Sequence, residues 1–346
     1  MLLVAFGGPE GPDEVVPFLE NVTRGRGVPR ERLEEVGEHY KLFGGVSPVN
    51  GQSRALRDGI ETELRRRGSD LPVYWGNRNW HPMLEATMRQ MTDDGVNRAV
   101  ALVASAYSSY SSCRQYREDI DRARAAVGED RAPTYGKVRV FYNHPCFVEP
   151  MRDRVRAALE RWPAGERGGV RLVFTAHSIP SSMARASRYE AQLYEASRLV
   201  AEPFAANAWE LVYQSRSGPP HVPWLEPDVC DHLERLHGAG VDDVLLVPIG
   251  FLSDHIEVMY DLDTEAAQLC EALGMRMERA TTVGDDRVFV SGLVDLIEER
   301  IGNDGEAGSC ERTALGCHGP SHDVCPEGCC AAPPRPTGRP SHAQRG

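Results

Sequence analysis

The chain has 346 residues, 41% of them hydrophobic and 26% charged, which suits two domains of about 150 residues each with real cores. Its formal net charge is −12 and no block of clustered Lys and Arg interrupts the folded part, which argues against a nucleic-acid or anionic-membrane surface. No apolar run approaches the roughly 18–20 residues that span a bilayer, and no basic leader precedes the first apolar run, so a cytoplasmic protein without stable membrane insertion is expected.

Short apolar runs at 2–6, 73–76, 99–104, 138–143, 170–176, 210–214 and 244–251 read as strands buried on both faces. Between them the periodicity predicts helices over 82–94, 113–127, 150–161, 187–204 and 228–237, with a closing helix at 287–301. This alternation predicts an α/β fold with parallel sheets flanked by helices. The charged segment 128–137, which carries one Pro, is the best internal boundary. It divides 1–134 from 135–284, and 285–303 closes the fold. Residues 304–330 are rich in cysteine, and 331–346 (AAPPRPTGRPSHAQRG) are Pro-rich, basic and non-periodic, which predicts disorder.

Ligands of open parallel sheets bind beyond the carboxyl ends of the strands, so the loops there are the ones to read. The first, Phe6-Gly7-Gly8-Pro9, has neither phosphate-cradling glycine spacing and gives no support for a nucleotide. In the second, a strand runs straight into His177, whose imidazole can bind a metal or accept a proton near pH 7. The third leads into Glu257, Asp261 and Glu265, spaced i, i+4 and i+8, which stack on one face of a helix. A capping box of Asp254 and Glu257 with the other acids solvated is the plainer reading. Against it, residues 254–275 contain no Lys or Arg, and unpaired carboxylates repel unless a cation or a proton relieves them. If the two strands are neighbours, His177 and Glu257 face one another across a cleft. Such a pair can receive a metal or take protons from a ligand nitrogen as metal enters.

Nine cysteines are unevenly placed, with Cys310, Cys317, Cys325, Cys329 and Cys330 in the last tenth. The best-spaced trio is Cys317, Cys325 and Cys329 or Cys330. Four thiolates can hold a [2Fe–2S] unit, and tetrahedral zinc is equally sound chemistry.

The segments FGGPEGPDEV, VTRGRGVP, GGVSPVNGQS, TAHSIP, YQSRSGP and PIGFLSDHIEVMYDLD occur in that order over roughly 2–300. Together they resemble the ferrochelatase family. The resemblance implies two Rossmann-like domains with a porphyrin cleft between them, and ferrous iron and a porphyrin as substrates. It implies that His177 is the active-site histidine and Glu257 its acidic partner, with Asp261 and Glu265 extending a line for iron or protons. It also implies that Arg24, Arg26, Ser53 and Tyr116 meet porphyrin propionates, a role for which Arg is well suited. Some members carry tyrosine where this chain has Glu10, so that contact with iron is not carried over. Actinobacterial members that this chain resembles hold a [2Fe–2S] cluster, which implies Cys146, Cys317, Cys325 and Cys329 as ligands, with Cys310 and Cys330 as competitors. The absence of a long hydrophobic lip favours coproporphyrin III over protoporphyrin IX. The resemblance also leaves room for contacts with other heme-pathway enzymes. A cobalt or nickel chelatase would usually present two metal-binding histidines, and a non-catalytic Fe–S or heme sensor should have lost His177 or Glu257.

Overall fold

Leu2–Ala5 (β1) is apolar and buried at every position, because a parallel strand covered by helices on both faces has no solvent side. The same logic produces Tyr74–Asn77 (β2), Arg98–Val103 (β3), Arg171–His177 (β5), Trp209–Gln214 (β6) and Asp243–Val247 (β7), with Thr134–Lys137 (β4) and Arg276–Arg279 (β8) as edges. The computed structural model describes residues 1–218, 220–302 and 312–332. In it these strands form two parallel sheets, ordered β2-β1-β3-β4 and β6-β5-β7-β8. The fold is α/β, with both sheets parallel as the alternation predicts. Each sheet starts at its second position, steps to one edge, then returns to build the other side. The order therefore reverses between β1 and β3 and between β5 and β7, where crevices open at the carboxyl ends.

One continuous core joins the sheets, running from Leu3, Ile60 and Leu102 to Phe174, Leu245 and Phe289. Two buried or half-buried hydrogen bonds tie the strand-end loops across it: Tyr107 Oη donates to the Ile249 carbonyl at 2.8 Å, and the Asp254 amide donates to Gln52 Oε1 at 2.9 Å. The helix Arg287–Gly302 then crosses back and packs on the helices Val49–Arg66 and Pro145–Leu159. Arg67, at the end of Val49–Arg66, holds it through Asp295 at 2.6 Å and Glu298 at 2.8 Å.

The structure differs from the sequence reading at several points, of which those that follow bear on the core and the sheets. The run 138–143 is not a strand. Its apolar residues are buried because the chain crosses the shared core there, with the Phe141 and Tyr142 amides both donating to the Ala106 carbonyl. The strand lies just before it, at Thr134–Lys137, and straddles the expected 134/135 boundary. The helix expected from 150 begins at Pro145, where the missing Pro N–H suits the first turn and His144 Nδ1 accepts from the Cys146 amide. The polar strand Arg276–Arg279 had no apolar pattern to reveal it, as befits a sheet edge. No helix among the described residues is long and apolar enough to cross a membrane. Cys310, most of the expected tail 331–346 and the first part of 304–330 lie outside the described residues.

Gly292 marks the closest approach of the closing helix, since a Cβ there would lie 2.1 Å from Cys146 Cβ. Gly292→Ala should therefore force the two helices apart and destabilise the fold by about 1–3 kcal/mol. A fall in melting temperature measured by circular dichroism checks this; an unchanged value would contradict it.

Candidate active site

His177 is the last residue of β5, and β5 pairs directly with β7, so the second crevice has His177 on one wall and the loop after β7 on the other. The His177 Nδ1–H is engaged by the Ser178 carbonyl, which can only accept. Nε2 is thereby left with its lone pair and lies 3.7 Å from Glu257 Oε2. Glu257 stands in the first turn of Ile256–Tyr260, with its side chain about half exposed (51%), open to an incoming ligand. The condition set by the sequence, that the two strands be neighbours, is met.

His255 is the residue that sequence reasoning missed. It caps the same helix and its Nδ1 lies 3.8 Å from the same Glu257 oxygen, so the carboxylate sits between two imidazoles. Burial lowers the pKa of His255, against the opposing pull of Glu257, and favours its neutral form. The signal was its position two residues before Glu257 in a strand-end loop.

Behind Glu257, Asp261 accepts hydrogen bonds from Gln214 Nε2 at 3.2 Å and from Ser215 Oγ. Ser215 holds a left-handed φ of 61° to reach it. Burial pushes the Asp261 carboxyl up to about 7, with Glu257 and Glu265 adding to the rise and the two hydrogen bonds opposing it. The helix widens to a π turn over Asp261–Ala266, a form common at functional sites. Glu265 follows, exposed, beside Tyr260, whose ring stacks on His39 at 3.7 Å. The capping box does not form: Asp254 pairs with Arg279 at 3.1 Å, and Arg279 also takes Asp263 at 2.6 Å. No Lys or Arg among the described residues pairs with Glu257, Asp261 or Glu265.

The residues expected to meet propionates are dispersed. Ser53 is buried in Val49–Arg66, next to Gln52, which grips the Asp254 amide. Arg24 and Arg26 are exposed in the turn after Val15–Val22, and neither side chain hydrogen-bonds or ion-pairs with a described residue. Tyr116 is buried in a core cluster, with the Arg78 guanidinium 5.0 Å from its ring centre. Glu10 is engaged by Arg54 at 2.5 Å.

The cysteines separate into groups. Cys146 is buried against Gly292 and borders a cavity of about 680 Å³ lined also by His144, Glu149, Ser291 and Asp295. Cys317 lies with Glu195 and His318, their ligand atoms all within 4.8 Å of one another. Cys325 and Cys329 instead gather with His322 within the same limit. Cys329 Sγ is 3.8 Å from Cys330 Sγ, and Cys325 lies near enough to Cys113, which the sequence reading left scattered, for the two thiols to shift one another's pKa, that of Cys113 up and that of Cys325 down. Neither Cys146 nor Cys317 joins that gathering.

The ferrochelatase family profile matches residues 1–301. The chain belongs to the ferrochelatase family. It is 52% identical over 349 residues to the coproporphyrin III ferrochelatase of Streptomyces griseus, covering 96% of this chain and 93% of that one. It is 51% identical over 344 residues to that of Nocardia farcinica, covering 97% of each, and 52% identical over 335 residues to a ferrochelatase of Rhodopirellula baltica, covering 96% of this chain and 93% of that one. Among solved structures, SirB from Bacillus subtilis with Fe3+ shares the fold at a TM-score of 0.54 and 11% identity, covering 88% of this chain and 95% of that one.

The position of Asp261 has a consequence for stability. Its proton is held more tightly in the folded state, at about 7, than in the unfolded chain, at about 4. Between those values the folded state binds more protons, so the contribution of this group to stability falls as pH rises through that window. Asp261→Asn should melt a few degrees above the wild type at pH 8 and lose that advantage near pH 4. Thermal unfolding across pH 4–8 checks it, and a parallel offset at every pH would contradict it.

Proposed function

We propose that this chain inserts ferrous iron into coproporphyrin III as a cytoplasmic step of heme synthesis, two pyrrole protons leaving for each iron taken up. The observation that carries the reading is the approach of His177 Nε2 to Glu257 Oε2, 3.7 Å apart in the crevice between β5 and β7. It is supported by relatives about half identical over nearly the whole chain and named for this reaction. Iron and porphyrin are both substrates here.

With Nδ1–H committed to the Ser178 carbonyl, His177 has one free basic site, Nε2, to take a pyrrole proton. Glu257 faces the same point with negative charge, which attracts the incoming cation and stabilises the imidazolium that forms. Asp261, poised at about 7, can gain and lose a proton near neutrality, and Glu265 leads on to solvent. We assign iron or proton passage to this row, His177–Glu257–Asp261–Glu265. Arg24 and Arg26, whose guanidiniums pair with no described residue, suit the four propionates of coproporphyrin, and Ser53 and Tyr116 stay in the binding set on the resemblance alone. The two histidines about Glu257 favour a second reading, a cobalt or nickel chelatase, because such enzymes usually present a histidine pair.

The same reading gives the chain a [2Fe–2S] cluster on its C-terminal cysteines. The donor chemistry fits: Cys325, Cys329 and Cys330 lie together, with Cys113 and His322 in reach. When bound, such a cluster supplies a covalent tie between distant segments and a one-electron centre. Metal insertion itself transfers no electrons.

Three measurements test this function. The wild type should insert iron into coproporphyrin III in preference to protoporphyrin IX, and in preference to cobalt or nickel at equal concentration; the reverse order would overturn the assignment. His177→Ala should lower kcat/KM at least about 100-fold, the lower range for a positioned proton acceptor, with circular dichroism unchanged. Glu257→Gln should depress kcat while leaving porphyrin affinity intact; a change confined to affinity would make Glu257 a positioning residue only.

A further inference from the structure

Asn143, fully buried, clamps a loop of the C-terminal segment from both ends. Its Nδ2 donates to the Leu315 carbonyl at 3.3 Å and to the Gly319 carbonyl at 2.9 Å, and its own carbonyl accepts from the Leu315 amide at 2.8 Å. Gly316 and Gly319 turn this loop with left-handed φ values of 71° and 64°. Glycine is required at 316, where a Cβ would fall 2.0 Å from Glu195 Oε1. The loop is thereby pressed onto the helix Tyr189–Ala201, with Cys317 and His318 at its tip.

Three donors of different kinds meet at that tip: the Cys317 thiol, a His318 ring nitrogen and a Glu195 carboxylate oxygen, all within 4.8 Å of one another. Glu195 is buried, and Arg198 grips it at 2.8 and 3.0 Å, which holds its carboxyl below the ordinary range against the opposing effect of burial. These bonds and the Cys317 amide at 3.4 Å still leave the carboxylate a lone pair. Tyr142 Oη meets His318 Nδ1 at 3.1 Å and orients the ring. Carboxylates and imidazoles that bind metals are held by outer partners of this kind. Cys317 is exposed, so a cation can enter from solvent and a water can complete the set. We propose that Glu195, Cys317 and His318 form a site for one divalent cation of the zinc type, separate from Cys325, Cys329 and Cys330 and from the crevice of His177. Zinc is borderline-soft and takes thiolate, imidazole and carboxylate together. The Cys317 thiol gives its proton to solvent as it ligates, and thiolate and carboxylate then balance the divalent charge. The ion clips the C-terminal segment to the second sheet's helices and takes no part in iron insertion.

The test uses the full chain with zinc as the probe, its stoichiometry and affinity measured by competition with a chromophoric chelator. Cys317→Ala, His318→Ala and Glu195→Gln should each weaken one zinc per chain at least about tenfold, the lower range even for an outer partner of a ligand. His177→Ala and Cys325→Ser should keep that same zinc, which separates it from the substrate crevice and from the other thiols. Hydrogen exchange gives a second readout: zinc should slow exchange of the amides at 315–318 in the wild type, and a chelator should reverse this. Cys317 is exposed, so its alanine variant guards against a folding defect at buried Glu195. Failure of the wild type to bind zinc, full retention in Cys317→Ala or His318→Ala, or equal loss from His177→Ala or Cys325→Ser would overturn the site. Exchange at 315–318 that zinc leaves unchanged would overturn the clip.

Discussion

The pairing of β5 with β7, from Arg171 opposite Val244 to Phe174 opposite Val247, is the constraint on which the site depends. Both strands are apolar and buried, so a slip of one residue would turn core side chains the wrong way and the register is firmly set. With the register fixed, His177 ends one strand level with the loop that leaves the other. The helix after that loop then has one place to start, and His255 and Glu257 arrive in its first turn beside the imidazole. β6, on the other side of β5, pairs its Gln214 with His177 and sends that amide to Asp261. The acid row is thus supported from a strand at each side of the histidine.

Charge is sorted along that helix. Arg279, on the edge strand β8, removes Asp254 and Asp263 into ion pairs, and this leaves Glu257, Asp261 and Glu265 without a guanidinium or ammonium partner among the described residues. A carboxylate that is both desolvated and surrounded by like charge holds its proton, which is why Asp261 is moved toward neutrality. The same environment that strains the folded state favours an incoming cation. Strong pKa perturbation of this kind clusters at functional sites.

The closing helix and the tail form a second layer of connections. Arg139, fully buried, grips Glu299 at 2.7 Å, and Arg312 reaches the same carboxylate at 3.3 Å. A buried ion pair is weak evidence of stability in itself, but breaking one partner is strongly destabilising, so the pair restricts where residue 312 can lie. From there the tail is led past Tyr142 and Glu195 to the thiols. Cys113 lies between Tyr107, which bonds across to the Ile249 carbonyl, and Tyr116, so the thiol gathering adjoins the segment that links the two sheets.

The sequence by itself determined the α/β class and most of the strands, and it named the histidine and the acid that the structure brings 3.7 Å apart. Buried parallel strands write themselves as apolar runs, and a histidine or acid at the end of such a run is visible without coordinates. The run 138–143 misled because burial by crossing a core leaves the same apolar record as burial by pairing, and the edge strand Arg276–Arg279 left no apolar record at all. The neighbourhood of Cys113, the pairing of Asp254 with Arg279, and the second imidazole beside Glu257 were decided only by tertiary structure. Each depends on segments distant in sequence or on where a loop turns, and spacing along a chain contains no measure of either. Cys146 illustrates the physical reason: its position in the sequence contains no sign of the close packing of two helices that buries it against Gly292.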